Sequence, residues 1–487
     1  MLGRKLNLAA LVATGVCSMI GASIYIVPFM IHRHVPGLGP WVLPAFLFAA
    51  FPALLAALAY ALLASAMPRA GGSYVYASRG LHPYLGFVAS FSQWFGLSIA
   101  IGVIAYVLVP FMADLTKALE WPALADIMLM PSMRLILALI ILWLFVVVNW
   151  LGMKVYTLTL IPLMLLMFIL GGLVIWAGWS HHPEDFLAAY HAAGHKVPAM
   201  VTTPTFNWSV FLSASAVLFS SFIGFDAIAQ AGGEAQQAAR RLPQAIVLTM
   251  CIVSVFYFVF TSAVYHSVPW PVVAAEAAQR EINAASLLHF VLSPRWTIII
   301  LAGATVALLN DLPGMILSNS RLIFAWSADG VFPSWLAKVH PTTLLPRRAI
   351  LLSGLMATLG IFGCHLAGDF FLGIDVLVIS MLVNFLLMCL TLIWIQRVNP
   401  ALAKEIHVIP RRFFQQLIGL AGTLLLTLFL TVHISRDFFS AQAWYTKSTW
   451  LWLLVMILAS SIYGYHVYRL KLSGKHSSKI FTQLPEE

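Results

Sequence analysis

The sequence contains few charged residues for its length. Asp, Glu, Lys and Arg make up 9% of its 487 residues, whereas a soluble globular domain has about 25%. At the same time 61% of the residues are hydrophobic, and the mean hydropathy is +0.92. This scarcity of charge excludes an ordinary soluble domain. It predicts an all-α, polytopic membrane protein with nearly all of the chain in membrane spans or short connections.

Cysteine is also scarce, and the four cysteines form no pattern. Cys17, Cys251, Cys364 and Cys389 all lie in apolar stretches, and no two have the spacing of metal ligands. They argue against a disulfide framework, and we interpret them as core fillers. We expect no cofactor and no resident metal ion, apart from a coupling ion, H⁺ or Na⁺.

The residue clusters of an intramembrane enzyme are missing as well. The sequence has no His-Glu-x-x-His motif and no Ser/His pair at membrane depth, because nearly all histidines lie in loops or at span ends. A receptor should carry a soluble signalling domain, and the polar tail, 473–487, is too short for one. We expect this tail to be disordered. The basic residues are scattered and form no stripe for nucleic acid.

Apolar runs of spanning length predict twelve transmembrane helices. The predicted spans are 8–31, 40–66, 84–113, 134–150, 155–178, 208–231, 243–266, 296–326, 347–367, 371–396, 413–434 and 449–470. They divide into a first five-helix repeat (8–178), an outer loop (179–207), a second five-helix repeat (208–396) and two extra helices (413–470).

The distribution of Lys and Arg predicts the orientation. With the N-terminal segment, 1–7, in the cytoplasm, nineteen of the 27 basic residues lie on the cytoplasmic side, as the positive-inside rule requires. No cleavage site follows the first span, so we expect a retained helix. Both termini, including the tail 471–487, are therefore predicted to be cytoplasmic, in a multi-pass protein of the cell membrane.

The first span contains a stretch that is a poor helix. Gly21 costs about 1 kcal/mol relative to Ala in a helix interior, and Pro28 removes a backbone donor. In a membrane, an unwound segment persists only where it lines a cavity, and such a break can hold an ionic substrate. The alternative is an ordinary span that packs closely through Gly21, Ala22 and Ser23.

The sixth span repeats this pattern of small and polar residues followed by glycine. It reads Ser221-Phe222-Ile223-Gly224, and Asp226 follows about half a turn later. Interrupted helices at matching places in two five-helix units are typical of an inverted-repeat transporter with a site at the membrane midplane.

Three segments resemble those of the amino acid–polyamine–organocation (APC) permeases. They are Pro68-Arg-Ala-Gly-Gly-Ser-Tyr-Val-Tyr76, the stretch from Phe222 through Gly233-Glu234 to Ile246, and Ser320-Arg-Leu-Ile-Phe-Ala-Trp-Ser-Ala-Asp-Gly-Val-Phe-Pro333. The resemblance covers at least spans one to ten. It implies a LeuT-like 5+5 inverted repeat with broken helices one and six, and secondary transport of amino acids or related amines.

The resemblance also implies a substrate site. Backbone amides at the first break receive the substrate carboxylate in the family, and here they belong to Gly21, Ala22 and Ser23. Carbonyls before the glycine of span six receive the amino group, and here they belong to Ser221, Phe222 and Ile223. Gly224 would let the chain turn, and Phe222 or Phe219 would be an aromatic gate.

The sequence departs from the family pattern at three places. Ser23 stands where the family often has Gly, which adds a hydroxyl towards the pocket. Gln236-Gln237-Ala238 replaces a usual Asn-Pro pair in the loop after span six. Span five lacks the Lys of some proton-coupled members, since Lys154 lies only at its cytoplasmic edge.

Two acidic residues inside the membrane are candidates for coupling, because an ionisable group there costs about 2.5–3.5 kcal/mol on insertion scales. Ala307, Asn310 and Asp311 share one face of span eight, and oxygen ligands suit a hard cation. We therefore assign the coupling cation or proton to Asp311 with Asn310; a buried structural Asp is the alternative. Asp226 is either a proton carrier or a cap for the second half of span six.

The remaining polar residues are predicted to act outside the midplane. Glu234, Arg240 and Arg241 would form a cytoplasmic latch with the loop that contains Arg69. In the outer loop, His191 and His195 would share a helical face, which permits a surface metal site or a polar loop cap. The segment 276–288 would be an amphipathic lid. Asp375 is expected to be solvated at the outer end of span ten.

Together these features predict a secondary active transporter that moves amino acids by alternating access. Spans one, two, six and seven would rock against three, four, eight and nine, with coupling to a proton or sodium ion. The expected partners are an amino acid or related amine and the lipid bilayer. The alternative is an amine, polyamine or amino acid exchanger.

Overall fold

The computed structural model describes residues 2–196, 204–367, 371–440, 443–472 and 481–485. Ten helices within these ranges are long and apolar enough to cross a membrane. The α-helices in chain order are α1 (Leu8–Met19), α2 (Ala22–Tyr25), α3 (Val27–His34), α4 (Val42–Ala66), α5 (Gly72–Gly80), α6 (Pro83–Ala118), α7 (Pro122–Leu129), α8 (Pro131–Leu151), α9 (Met153–Trp179), α10 (Pro183–Ala192), α11 (Trp208–Leu218), α12 (Asp226–Gln230), α13 (Ala238–Ser267), α14 (Trp270–Gln279), α15 (Ala284–Leu288), α16 (Pro294–Ala328), α17 (Arg347–Ala367), α18 (Phe371–Val398), α19 (Pro400–Lys404), α20 (Arg412–Phe439) and α21 (Ser448–Leu472).

The long helices coincide with ten of the twelve predicted spans, to within a few residues at each end. The other two predicted spans, 8–31 and 208–231, are each divided into shorter helices. The fourth and fifth spans, whose boundary is hard to place by hydropathy, separate at Gly152, which has φ of 133°. An L-residue with a side chain rarely adopts that angle.

Three long helices form the centre of the bundle. Most residues of α6, α16 and α18 are buried, whereas few residues of α9 and α21 are. The packing depends on small residues: a Cβ added to Gly102 of α6 would lie 2.5 Å from the carbonyl oxygen of Ala357 in α17. Small residues let the backbones of membrane helices approach closely, so the central helices form a compact support around the two broken spans.

One end of the bundle, which we call the terminal face, is closed by charge pairs and backbone hydrogen bonds. Arg321 binds Glu234 through two bonds, Nη2 to Oε1 at 2.5 Å and Nε to Oε2 at 3.0 Å. Both side chains are fully buried. A second buried pair joins Arg79 Nη1 to Asp329 Oδ2 at 2.6 Å. Leu6 donates its amide to the carbonyl of Glu234 at 2.9 Å.

This arrangement corrects the predicted latch. Glu234, Arg240 and Arg241 were predicted to bind the loop that contains Arg69, but Glu234 pairs with Arg321 of α16. The loop meets this segment through its backbone, since Gly71 donates its amide to the carbonyl of Gln230 at 3.1 Å. Arg241 donates to the side chain of Gln236 instead, and Arg240 is exposed. Hydropathy and spacing place all four near one end of the bundle, but only packing decides which arginine reaches a buried carboxylate.

The end of the tail also lies on the terminal face, contrary to the expected disorder. Arg69 Nε donates to the carbonyl of Pro485 at 2.9 Å, and Asn399 Nδ2 donates to the carbonyl of Thr482 at 3.0 Å. The guanidinium of Arg79 lies 5.7 Å from the ring centroid of Phe481. Arg69, predicted as part of the latch, therefore contacts the tail. The rest of the predicted disordered segment, 473–480 and 486–487, lies outside the described residues.

The opposite face of the bundle is tied by a second set of polar contacts. Asp375 at the start of α18 lies 3.3 Å from His34 Nε2 of α3 and 3.7 Å from Arg436 Nη2 of α20. Its side chain is 16% exposed, so the expected solvation of Asp375 is wrong. The carboxylate is held by two basic groups because three helix ends meet there.

The predicted lid segment, 276–288, consists of α14 and α15 lying on the opposite face. Tyr190 of α10 and Arg280 donate to the two carboxylate oxygens of Glu276, each at 2.6 Å. Burial raises the pKa of Glu276, but these hydrogen bonds outweigh it and hold that pKa below its usual range. His195 Nδ1 lies 3.9 Å from Glu276. Within the described ranges no group of three or more His, Cys, Asp or Glu side chains could hold a metal ion.

We predict that loss of one charge of the Glu234–Arg321 pair is costly. In Glu234→Gln the guanidinium of Arg321 stays buried without its counter-charge, so the free energy of unfolding should fall by about 3–5 kcal/mol. Thermal unfolding in detergent measures this change. Glu234→Gln/Arg321→Met should recover much of the loss, and Arg240→Gln, an exposed arginine beside the same face, should be neutral. Equal effects of Glu234→Gln and Arg240→Gln would contradict the prediction.

We also predict that the lid loosens in acid. Burial lowers the pKa of His289, which follows α15, so the unfolded segment takes up a proton more readily than the folded one. Stability from this group is complete above the ordinary pKa of about 6.5 and declines as the pH falls below it. Amide exchange across 284–290, corrected for intrinsic rates, should therefore rise between about pH 7 and 5. His289→Gln should abolish the pH dependence, whereas the exposed control His191→Gln should keep it.

Candidate functional site

The first span leaves the helical conformation at the place predicted. Helix α1 ends at Met19, and Ile20 is extended, with φ of −90° and ψ of 101°. The single-turn helix α2 follows, and α3 begins after Ile26 with Pro28 in its first turn, where proline is favoured. The amides and carbonyls between Met19 and Val27 are therefore partly released from helical hydrogen bonds.

The break is filled from the side by the carboxylate of Asp311. A Cβ added to Gly21 would lie 1.7 Å from Oδ2 of Asp311, so any side chain at position 21 would occupy the space of the carboxylate. Glycine is needed here because of a close approach. Asp311 comes from the middle of α16, and its contact with Gly21 brings spans one and eight together.

The second break crosses the first. Helix α11 gives way to a 3₁₀ turn, Phe219–Phe222, followed by extended Ile223. Gly224 has φ of 131°, and a Cβ there would lie 2.1 Å from the carbonyl oxygen of Ser18. Both the backbone angle and the contact with span one therefore require glycine at position 224.

A tyrosine that the sequence did not identify stabilises the first break. The hydroxyl of Tyr257, from α13, donates to the carbonyl of Met19 and lies 3.0 Å from Oγ of Ser23. Ser23 Oγ also donates to the carbonyl of Met19, at 2.8 Å. These hydroxyls replace the helical partner that this carbonyl lacks. Tyr257 resembles any other aromatic residue of an apolar span, so only its position in space reveals the role.

A cavity of about 70 Å³ lies beside the two breaks. Asp311 is the only ionisable side chain among its described lining residues. The lining residues are Ser18, Met19, Ser23, Ile26, Val27, Ala100, Val103, Ile104, Val107, Ser220, Ile223, Asp311, Met315, Gly373, Ile374 and Leu377. Those from α6 and α18 belong to the halves of these helices nearer the opposite face, so the cavity extends from the breaks towards that face.

Two hydroxyls in the cavity wall have unused hydrogen-bonding capacity. Within the described ranges, Ser18 Oγ and Ser220 Oγ are buried and have no hydrogen-bond partner. A buried polar atom left in this condition costs about 1–3 kcal/mol. A polar ligand in the cavity would satisfy both groups, and together with Asp311 they make this wall the polar end of the site.

Asp226 lies in a different environment. Its Oδ1 accepts a hydrogen bond from the backbone amide of Gly224 at 3.1 Å, and its Oδ2 accepts one from the side-chain amide of Gln93. Gln93 accepts in turn from Ser73 at 2.5 Å and from Gln230 at 3.1 Å. Asp226 is fully buried and is not among the cavity-lining residues. Its hydrogen bonds connect the second break to α6 and, through Gln93, to Ser73 of α5, and it forms no side-chain cap of α12.

Several other predicted residues are buried near the breaks but do not line the cavity. Phe222 packs against Phe46 and Tyr257, and Phe219 packs against Phe385 and Phe429. The predicted aromatic gate is therefore turned away from the cavity in this conformation. Asn310 Nδ2 lies 3.8 Å from Met167 Sδ, and Ala307 is buried beside it. Of the three residues predicted on one face of span eight, only Asp311 reaches the cavity.

The contact of Gly21 with Asp311 can be tested by a double-mutant cycle. Gly21→Ala should destabilise the protein, because the added methyl overlaps the carboxylate. Asp311→Ala removes that obstacle. In the Asp311→Ala background, Gly21→Ala should therefore lower the free energy of unfolding by a smaller amount. The difference should be roughly 0.5–3 kcal/mol, the range typical of contacting residues. Thermal unfolding of the four proteins in detergent gives the coupling. Additive costs would show that the two positions do not touch.

Comparison with known proteins gives a consistent set of relatives. The family described as "Amino acid permease" matches residues 6–470. An uncharacterized transporter of Mycobacterium tuberculosis is 30% identical over 360 residues, which cover 72% of each chain. The branched-chain amino acid permease BcaP of Lactococcus lactis is 27% identical and matches 68% of this chain and 70% of its own.

A further relative is longer than this chain. The vacuolar cationic amino acid transporter 4 of Arabidopsis thaliana is 25% identical over 369 residues. The match covers 73% of this chain but 58% of that transporter, so the chain spans less than two thirds of its length.

Proposed function

The chain belongs to the amino acid permease family, as its three loop motifs predicted, and we propose that it carries amino acids across the cell membrane by alternating access. Its relatives are transporters and not enzymes. The proposal includes a LeuT-like layout, in which two five-helix repeats with broken first helices are followed by two extra helices. No bond is made or broken in this activity.

The crossing of the two breaks at a cavity carries this proposal. Released amides near Gly21 and released carbonyls before Gly224 lie beside one cavity, so a zwitterion can be held at both ends by backbone groups. In the proposal, Gly21, Ala22 and Ser23 face the substrate carboxylate. Ser221, Phe222 and Ile223 offer carbonyls to the amino group. The free hydroxyls of Ser18 and Ser220 favour a polar ligand at the same place.

The asymmetry between the two faces supports alternating access. The terminal face is closed by the Glu234–Arg321 and Arg79–Asp329 pairs, whereas the cavity extends towards the opposite face. In our proposal the terminal face is cytoplasmic, by the positive-inside rule, and the described conformation has its site directed outwards. Transport would require the pairs of the terminal face to separate while those around Asp375 close further.

We assign the coupling ion, a proton or Na⁺, to Asp311. Its carboxylate lies at the cavity and against the first break, so its charge acts on both the substrate and span one. Asp226 has the weaker claim, because its two oxygens accept hydrogen bonds from Gly224 and Gln93. The alternative function is that of an amine or amino acid exchanger. The experiment below also tests this alternative, because Asp311 would also attract an ammonium group.

Uptake into proteoliposomes tests the function and the coupling assignment together. A labelled amino acid panel is offered with an imposed proton or sodium gradient to the unmodified protein and to Asp311→Asn. We expect gradient-driven uptake to fall by about tenfold or more in the variant, within the range of coupling free energies, while exchange persists. Asp126→Asn, at an exposed carboxylate of α7, is the matched control and should behave like the unmodified protein.

Each outcome separates the alternatives. Unchanged driven uptake by Asp311→Asn would make Asp311 structural and transfer the coupling role to Asp226. Amine exchange without uptake of any amino acid would establish the exchanger. No transport of either class would overturn the proposed function.

A further inference from the structure

The cavity is polar where it meets the two breaks and apolar along the walls that extend away from them. Apart from Asp311 and the residues of the two broken spans, the described lining is apolar: Ala100, Val103, Ile104, Val107, Met315, Gly373, Ile374 and Leu377. No aromatic ring and no second ionisable group lies among the described lining residues. The part of a ligand that extends away from the breaks therefore meets apolar side chains.

The charged and polar groups of the site lie at the end of the cavity next to the two breaks. Asp311 lies against Gly21, next to the backbone groups that would hold the two charges of a zwitterion. A guanidinium or ammonium at the end of a long side chain would reach the apolar walls of α6 and α18, where no acid lies among the described lining residues. Burial of an unpaired charge in such surroundings is strongly unfavourable.

The size of the cavity sets a second limit. A volume of about 70 Å³ holds roughly five to seven water-sized groups, at about 10–15 Å³ for each. That is room for a zwitterionic head with a few carbons beyond it. The space favours a short side chain over an indole, a phenol ring or an arginine side chain.

The geometry points to a small aliphatic amino acid, such as alanine, valine or leucine, as the preferred substrate of this site. The inference depends on the proposed function and adds the class of side chain to it. It also assigns specificity to the facing walls, in particular to Ala100 and Val103 of α6. Gly373 of α18 brings the walls together, since a Cβ there would lie 2.3 Å from Cγ2 of Val103.

Transport competition tests the inference. Proteoliposomes take up labelled valine or leucine in the presence of unlabelled alanine, isoleucine, phenylalanine, lysine or arginine. We expect the aliphatic amino acids to compete at least about tenfold better than lysine, arginine or phenylalanine, the discrimination that pocket contacts supply. Preferred uptake of lysine, arginine or an aromatic amino acid would overturn the inference and leave the proposed function intact. Uptake of no amino acid would instead be a failure of the proposed function.

Two variants examine the walls directly. Ala100→Val adds two methyl groups to one wall and should weaken leucine uptake by about tenfold or more, while alanine uptake is largely kept. Val103→Asp places a carboxylate in the wall and should reduce valine uptake while it improves competition by lysine. Thermal unfolding in detergent identifies a variant that fails to fold. If folded Ala100→Val reduces alanine and leucine uptake equally, the walls do not contact the substrate side chain.

Discussion

The structure depends on one constraint: backbone groups freed from a helix inside a membrane must find partners, because lipid offers none. At the first break the carbonyl of Met19 accepts hydrogen bonds from Ser23 and Tyr257. At the second, the amide of Gly224 donates to Asp226. Each break is thus supported by a side chain of its own span, Ser23 or Asp226, and the first break also by Tyr257 of α13. The protein can contain these breaks in the membrane only because helices such as α13 and α16 enclose them.

Two glycines at the site make close contacts with their surroundings. Gly224 approaches the carbonyl of Ser18, and Gly21 approaches the carboxylate of Asp311. A side chain at either position would separate the broken spans from each other or from α16. Close approach therefore brings three polar features to one point, namely released amides, released carbonyls and one carboxylate. This combination supports the proposed binding of a small zwitterion.

The sequence predicted the long helices well and the contacts between them poorly. Length and hydropathy are properties of each segment by itself, so ten spans and both breaks could be placed before any packing was known. The partner of Glu234 could not, because several arginines lie at the same end and only the packing of α16 brings Arg321 to the carboxylate. Tyr257 was missed for a similar reason. Its hydroxyl acts on a backbone group more than two hundred positions away in the chain.

The two intramembrane aspartates show how packing separates residues that look alike in sequence. Asp226 and Asp311 both lie in apolar spans near a glycine, so hydropathy gives neither a clear advantage as the coupling group. In the structure, Asp226 accepts bonds from Gly224 and from the Gln93 network, and these hold the second break in shape. Asp311 instead lines the cavity, where a zwitterion bound as we propose would change its electrostatic surroundings directly. Because a coupling group must respond to the substrate, we propose Asp311 and not Asp226 for that role.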